Sequence, residues 1–196
     1  MKPWDDPAVV ARLHDGWTTD PRNVADAARL AGIARGFGSE SVLDYGCGTG
    51  RMAPFFPPDR YLGYDPSAAM VEFARAAHPQ YRFGMTLPCS CGGGGDAEVD
   101  VAICNSVAQY LPDGERDTML CDLCRRSMVV LIETYDGPRA QRYGGCDAPI
   151  WICPPEDYMG MLAGFGCDVE RLVLDGPVDC ALALYIARRR GPSGPA

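Results

Sequence analysis

The sequence contains no long apolar run and very little histidine. Its apolar segments all stop short of the roughly 20 residues that a membrane-spanning helix needs. Residues 1–6 lack the basic stretch that precedes the apolar core of a secretion signal, so we expect a cytoplasmic protein that makes no membrane contact. Histidine occurs only twice in 196 residues, which argues against a histidine-based metal site, and we predict no bound metal.

Positive charge is also in short supply. Lys and Arg number 18 against 26 Asp and Glu, so the formal net charge is -8. A surface of that sign repels a polyphosphate backbone and removes the usual drive for nucleic-acid binding. The basic run 188–190 is the one compact cluster and is expected to be simply solvated. We expect a small molecule as partner, a protein less readily and no nucleic acid, and the sequence leaves the oligomeric state open.

Cysteine, by contrast, is abundant, with ten residues. Without a secretion signal, most of them should be free thiols in a reducing compartment. The pair Cys89 and Cys91 and the pair Cys121 and Cys124 have spacings that could hold a zinc ion. No histidine follows closely, and the second pair falls in a helical pattern, so zinc and redox roles are the less favoured interpretations.

The order of predicted elements indicates a single α/β domain over residues 1–196. Apolar residues recur at helical spacing over 1–38, and they predict two helices with a break near residues 18–21 and Asp20 as the N-cap of the second. Short buried strands alternate with helices over 39–133, and the apolar spacing predicts a short helix over 51–56. Residues 134–155 carry glycines, prolines and aromatic residues without a period, which predicts an insertion and a possible acceptor site. A last helix and two strands are predicted over 156–188. This alternation is typical of a parallel sheet covered by helices on both faces.

A glycine-rich turn follows the first predicted strand, residues 41–45. Glycine at alternate positions lets the backbone turn sharply and approach a ligand closely; these residues are Gly46, Gly48 and Gly50. A dinucleotide fingerprint would need its third glycine where Arg51 stands. Asp65 ends the next predicted strand about 20 residues later, where a carboxylate can accept hydrogen bonds from both ribose hydroxyls. The pattern predicts an adenosine-containing ligand and makes a nicotinamide-dependent oxidoreductase the less favoured alternative.

Two segments resemble motifs of one enzyme family. Residues 42–50, Val-Leu-Asp-Tyr-Gly-Cys-Gly-Thr-Gly, resemble motif I of the class I S-adenosylmethionine-dependent methyltransferases, and residues 64–70, Tyr-Asp-Pro-Ser-Ala-Ala-Met, resemble their motif II. A looser likeness extends over residues 40–133. The resemblance implies a Rossmann-like, mostly parallel seven-stranded sheet of order 3-2-1-4-5-7-6, with strand 7 antiparallel and helices on both faces. It also implies S-adenosylmethionine as cofactor, S-adenosylhomocysteine as product and an N-terminal helical lid over 1–38.

The resemblance further implies which residues bind the cofactor. Asp44 would reach the methionine amino group directly or through water, and Asp65 would bind the ribose hydroxyls. The remaining implied positions are Gly46, Cys47, Gly48 and Gly50 at the methionine and ribose portion, Pro66, Met70 and Met85 around adenine, and Asn105 and Ser106 beside the methionine moiety. Two alternatives stay open: the methionines could fill the core, and Asn105 and Ser106 could cap the next helix. An acidic residue that often follows strand three in this family is replaced here by Gly84-Met85-Thr86, so adenine recognition would be mainly backbone and apolar.

The acceptor side is less well marked. In-line methyl transfer needs alignment more than a base; if a base is used, the candidates are His14, Glu133, Tyr135 and Asp136. Aromatic candidates for the acceptor pocket are Trp17, Tyr110, Tyr143 and Trp151. We therefore predict transfer of a methyl group to an O, N or C atom of a small molecule, with a non-catalytic cofactor-binding module as the alternative.

Overall fold

A computed structural model of the chain describes residues 3–87, 99–135, 150–151, 153–175 and 182–190. Helices and strands alternate along these residues. The helices are α1 (Pro7–Thr19), α2 (Pro21–Gly36), α3 (Ala68–Ala77), α4 (Asp113–Arg126) and α5 (Pro155–Gly164). The strands are β1 (Val42–Tyr45), β2 (Tyr61–Tyr64), β3 (Arg82–Gly84), β4 (Val99–Asn105), β5 (Ser127–Tyr135), β6 (Cys167–Asp175) and β7 (Leu182–Arg189). None of the helices in these ranges has both the length and the apolar character needed to cross a membrane.

The strands form one seven-stranded sheet in the order β3-β2-β1-β4-β5-β7-β6. β1 runs parallel to β2 and β4, and β2 runs parallel to β3. β7 is antiparallel to both of its neighbours, β5 and β6. The predicted Rossmann-like topology, including the antiparallel seventh strand, is therefore confirmed.

Contacts divide the chain into two compact units, residues 1–103 and 104–196. In the first unit α3 packs against β3, and α1 packs against α2 and α3. The fully buried side chains of this unit include Leu30, Met52, Tyr61, Val71 and Ile103. In the second unit the apolar run of β5 is buried, as expected of a strand covered on both faces. Its fully buried side chains include Leu120, Leu123, Leu131, Ile132, Leu162 and Leu184.

The two N-terminal helices begin at side-chain caps. The Asp6 carboxylate accepts a hydrogen bond from the Ala8 amide at 2.8 Å, and the Asp20 carboxylate accepts one from the Arg22 amide at 2.8 Å. Each cap is followed directly by a proline in the first turn of the helix, where the missing N–H costs nothing. Because Asp20 also ends α1, the predicted break between the two helices is confirmed.

The segment after the glycine turn differs from the prediction of a helix over 51–56. It contains only a one-turn 3₁₀ helix, Ala53–Phe55, and a second follows at Pro58–Arg60. Prolines at 54, 57 and 58 remove the N–H donors that an α-helix would need and disfavour helical backbone in the residues before them. The apolar spacing suggested a helix, but the prolines allow only isolated turns between β1 and β2.

Candidate functional site

The backbone of the glycine turn adopts conformations that other residues rarely reach. Gly46, Gly48 and Gly50 have φ angles of 72°, 53° and 81°, all in the left-handed region that favours glycine. The amides of Gly46 and Cys47 both donate to the Tyr64 carbonyl, at 2.7 and 2.9 Å. The Gly50 amide donates to the Cys47 carbonyl at 2.9 Å. These three amides hold the turn itself, so a pyrophosphate group would have to compete with the protein for them.

Asp65 joins the glycine turn to the end of β2. One carboxylate oxygen accepts a hydrogen bond from the Gly48 amide and the other accepts one from the Ser67 amide, each at 2.9 Å. Burial raises the pKa of Asp65, and these two amide hydrogen bonds partly offset that rise. An ionised carboxylate offers about four acceptor positions, so each oxygen keeps a lone pair that could accept from a ribose hydroxyl.

Asp44 is buried and bound to a tyrosine. Its side chain is 2% exposed, and the Tyr61 hydroxyl donates a hydrogen bond to its carboxylate at 2.5 Å. Burial raises the pKa of Asp44 to about 6, while the Tyr61 hydrogen bond and the positive charge of Arg51 act to lower it. Sequence reasoning identified Asp44 and missed Tyr61, because the two residues lie on different strands.

Gly63, a glycine on β2 that the sequence analysis did not identify, is also required for packing. A Cβ atom on Gly63 would stand 2.5 Å from the Phe83 ring and 2.9 Å from Sγ of Cys47. A Cβ on Gly50 would stand 2.8 Å from the same ring. Phe83 therefore fills the space beside both glycines and supports the turn from β3. A glycine inside a short buried strand was the available sequence signal for such a close approach.

Helix α1 brings two of the predicted acceptor-side residues onto the turn. Nδ1 of His14 lies 3.0 Å from Oγ1 of Thr49, within hydrogen-bond distance. The Trp17 ring packs so closely that a Cβ on Gly48 would stand 3.0 Å from its Cζ3 atom. The guanidinium of Arg51 lies 5.9 Å from the centre of the Trp17 ring, a cation–π distance. Within this unit, α1 thus covers the glycine turn.

The residues predicted around adenine differ in burial. Met70 is buried, and its sulfur would lie 3.8 Å from a Cβ on Gly48. Pro66 is exposed, and Met85 is 47% exposed. So large an exposed fraction rules out the core-filling interpretation for Met85, whereas Met70 fits either interpretation.

Asn105 and Ser106 end β4 in the second unit. The Asn105 side chain is buried, and neither its amide nitrogen nor its oxygen has a hydrogen-bond partner within the described part of the chain. Ser106 has a positive φ of 56°, and its amide donates to the Glu133 carbonyl at 2.8 Å. The next helical segments are a 3₁₀ turn, Ala108–Tyr110, and α4; their N-caps are Val107 and Pro112, and neither helix end has a side-chain cap. The alternative that these two residues cap the next helix is therefore wrong.

The other acceptor-side candidates fall around Gln109, which sequence reasoning missed. Its carbonyl accepts from the Trp151 amide at 2.8 Å, and its side-chain oxygen accepts from the Thr134 hydroxyl at 3.0 Å. Glu133 is buried, whereas Tyr110, Tyr135 and Trp151 are half-buried. Tyr143 lies outside the described residues, as does most of the predicted insertion, residues 136–149 and 152.

The cysteine pairs considered for zinc are only partly described. Cys89 and Cys91 lie outside the described residues. Cys124 is buried on α4 and interacts with the thiol of Cys167, and burial raises the pKa of Cys124 well above its ordinary range. A thiol in this state is a poor nucleophile and metal ligand. Over the described ranges, no group of three or more His, Cys, Asp or Glu side chains is placed to hold a metal ion.

The segment that contains the glycine turn is similar to known proteins. Residues 43–123 match the family model described as a methyltransferase domain. A trans-aconitate 2-methyltransferase from Variovorax paradoxus (strain S110) is 31% identical over 120 residues, which cover 59% of this chain and 43% of that protein. The chain thus spans less than half the length of this curated relative.

Solved structures share the fold over most of the chain. DesVI of Streptomyces venezuelae has a TM-score of 0.72 at 17% identity, covering 94% of this chain and 99% of its own. CalS10, an S-adenosylmethionine-bound amino pentose methyltransferase from Micromonospora echinaspora, has a TM-score of 0.64 at 18% identity, covering 86% and 91%. Identities this low show the fold alone. The segment that matches the methyltransferase-domain model, residues 43–123, also contains the glycine turn and Asp65, so this part of the chain is similar to a methyltransferase domain.

Proposed function

We propose that the protein binds S-adenosylmethionine at the glycine turn and transfers its methyl group to an O, N or C atom of a small molecule. The observation that carries the proposal is the position of Asp65. Its carboxylate fixes the turn through the Gly48 amide at 2.9 Å and retains acceptor positions on both oxygens. An adjacent pair of ribose hydroxyls matches such a group.

The residues around Asp65 fit the rest of an adenosyl cofactor. Gly48 has no side chain where the ribose would approach, and Met70 offers an apolar surface beside it. The internally bonded amides of the turn leave little to hold a pyrophosphate, which disfavours a dinucleotide. The exposed side chains of Pro66 and Met85 are proposed to flank adenine.

When bound, the cofactor supplies an electrophilic methyl group on a sulfonium, which an acceptor atom attacks in line. The protein then has to align the acceptor and exclude water. His14 and Trp17 are proposed for this side, because α1 holds both against the turn. His14 could accept a proton from a hydroxyl or ammonium acceptor. Glu133, Tyr135, Tyr110, Trp151, Tyr143 and the pair Asn105 and Ser106 stay predictions.

The relatives favour a small acceptor. One is named a trans-aconitate methyltransferase and another an amino pentose methyltransferase. The negative charge of the chain, -8, disfavours a nucleic acid as acceptor. Small carboxylic acids and amino sugars are therefore the first acceptors to test.

Calorimetry with S-adenosylhomocysteine tests cofactor binding. We expect the wild type to bind and Asp65→Ala to lose about 1–3 kcal/mol, because ribose hydroxyls and the Gly48 amide lose their acceptor. Asp59→Ala, which removes an exposed carboxylate, is the matched control and should bind as the wild type does. Equal affinity of Asp65→Ala and Asp59→Ala would contradict the assignment of Asp65.

Turnover is tested separately with methyl-labelled S-adenosylmethionine and a panel of carboxylic acids and amino sugars. Transfer of label to one acceptor class supports the proposal. Binding of the cofactor without transfer across the panel would favour a non-catalytic module instead.

A further inference from the structure

The contact between Tyr61 and Asp44 follows from the register of the parallel strands. Asp44 on β1 lies opposite Gly63 on β2, and Gly63 lies opposite Phe83 on β3. Tyr61 stands two residues before Gly63, on the same face of its strand. Cross-strand diagonal neighbours on one face are within reach of a long aromatic side chain. The Tyr61 hydroxyl can therefore reach the Asp44 carboxylate, which it does at 2.5 Å.

The environment of Tyr61 fixes it in place. Its side chain is fully buried and contacts three other aromatic rings, with centroids 6.0 Å away for Phe56, 5.6 Å for Tyr81 and 6.0 Å for Phe83. Burial, and next the charge of Asp44, raise the pKa of Tyr61 well above its ordinary value. The phenol thus keeps its proton and acts as a hydrogen-bond donor to Asp44.

The other charged groups near Asp44 act in opposite directions. Arg51, just after the turn, favours the ionised carboxylate, and Asp65, at the end of β2, disfavours it. Cys47 faces the same region, and burial raises the pKa of its thiol well above the ordinary value, so it stays neutral. On β4 the residue paired with Asp44 is the apolar Ile103. Tyr61 is therefore the hydrogen-bond donor that most directly stabilises the charge.

We propose that Tyr61 is a positioning residue for cofactor binding, which holds the Asp44 carboxylate ionised and fixed at the start of the glycine turn. The inference rests on the proposed function. A buried negative charge next to the turn attracts the ammonium group of the cofactor's methionine moiety, and protonation of Asp44 removes that attraction. Tyr61 thereby sets the acidity below which the cofactor binds weakly.

The test measures the affinity for S-adenosylhomocysteine from about pH 5 to about pH 8. We expect the wild type to bind at least about fivefold more weakly at the acid end. Tyr61→Phe removes only the hydroxyl and should move the midpoint of this profile upward by about one pH unit or more, because Asp44 loses a donor to its charged form. Tyr81→Phe, which removes a hydroxyl bonded to the Phe56 carbonyl, is the matched control and should leave the midpoint unchanged.

Asp65 also lies at this site, so a double-mutant cycle assigns the effect to Asp44. In an Asp44→Asn background, adding Tyr61→Phe should leave the pH profile unaltered. A profile for Tyr61→Phe that superimposes on the wild type, or an equal displacement in the Asp44→Asn background, would overturn the inference while the proposed function stands. Failure of the wild type to bind S-adenosylhomocysteine at any pH would overturn the proposed function as well.

A measurement on the wild type keeps the inference testable if Tyr61→Phe does not fold. The ¹³C signal of the Asp44 carboxyl, assigned by comparison with Asp44→Asn, should titrate well above the ordinary aspartate range. An Asp44 carboxyl that titrates with a midpoint unrelated to that of cofactor binding would overturn it.

Discussion

The ring of Trp17 and the backbone of Gly48 are in direct contact. A Cβ on Gly48 would stand 3.0 Å from Cζ3 and 3.5 Å from the neighbouring Cη2 atom of the indole. Gly48 is also the residue whose amide is held by Asp65, so helix α1 touches the turn at the point proposed for the ribose. In this structure the space left by the missing side chain of Gly48 is occupied by the Trp17 ring, and a bound ligand would need the same space.

This contact predicts that cofactor binding moves Trp17. With Trp4 and Trp151 replaced by Phe, Trp17 is the remaining one of the three tryptophans and reports on the turn alone. We expect its fluorescence to change on titration with S-adenosylhomocysteine, because the ribose and the indole compete for the same surface. The variant Trp17→Phe, with Trp4 and Trp151 retained, is the control. An unchanged Trp17 signal at saturating cofactor would contradict the prediction.

The packing of Phe83 predicts a large cost for a single methyl group on β2. Gly63→Ala should destabilise the protein by about 2–3 kcal/mol, because the new Cβ overlaps the Phe83 ring and Sγ of Cys47 and forces both to shift. Gly32→Ala is the matched control, since a Cβ there meets open space on a helix and should stabilise by up to about 1 kcal/mol. Urea unfolding of the two variants measures both effects. Similar free energies of unfolding for the two variants would contradict the prediction, because they would show that the Phe83 ring on β3 shifts at little cost.

Features signalled by neighbouring residues in the sequence were predicted well. The turn glycines, the helix cap at Asp20 and the carboxylate of Asp65 at the end of β2 each depend on a residue type that suits its own backbone position. The helix expected over 51–56 was wrong because apolar spacing was given more weight than three prolines. The Tyr61–Asp44 hydrogen bond was not predictable, since it depends on the register between two strands, which no local pattern fixes.

The buried side chain of Arg116 predicts that removing it and removing its ion-pair partner Asp113 lower the stability by different amounts. Arg116 is 5% exposed, lies 2.9 Å from the Asp113 carboxylate and stacks 5.5 Å from the Tyr158 ring centre. Arg116→Ala should cost about 2–3 kcal/mol, because the packed side chain and the cation–π contact are both lost. Asp113→Ala should cost less than about 1 kcal/mol, because its carboxylate is 77% exposed and screened. Thermal unfolding distinguishes them, and an equal loss would mean that the ion pair dominates.

The burial of Asp44 predicts a specific pH dependence of stability. Its pKa is raised from 3.8 to about 6 in the folded protein, so between these values the folded state binds a proton that the unfolded state has released. Folding is therefore favoured by Asp44 at low pH, and this contribution is lost as the pH rises through about 6. At pH 7 and above, the buried charge costs roughly 3 kcal/mol, the free energy that corresponds to the raised pKa.

Asp44→Asn removes this cost, because the Asn carbonyl can still accept the hydrogen bond from Tyr61 and carries no charge. We expect the variant to exceed the wild type in stability by about 1–3 kcal/mol near pH 8 and to match it near pH 4, where the carboxyl is largely protonated in the folded state. The other carboxylates contribute equally to both proteins and cancel in the difference. Urea unfolding at a series of pH values measures it. A stability difference between the two proteins that stays constant with pH would contradict the prediction, because it would arise from packing alone. A stability difference that grows between about pH 4 and about pH 6 would identify Asp44 as a buried charge that destabilises the folded protein.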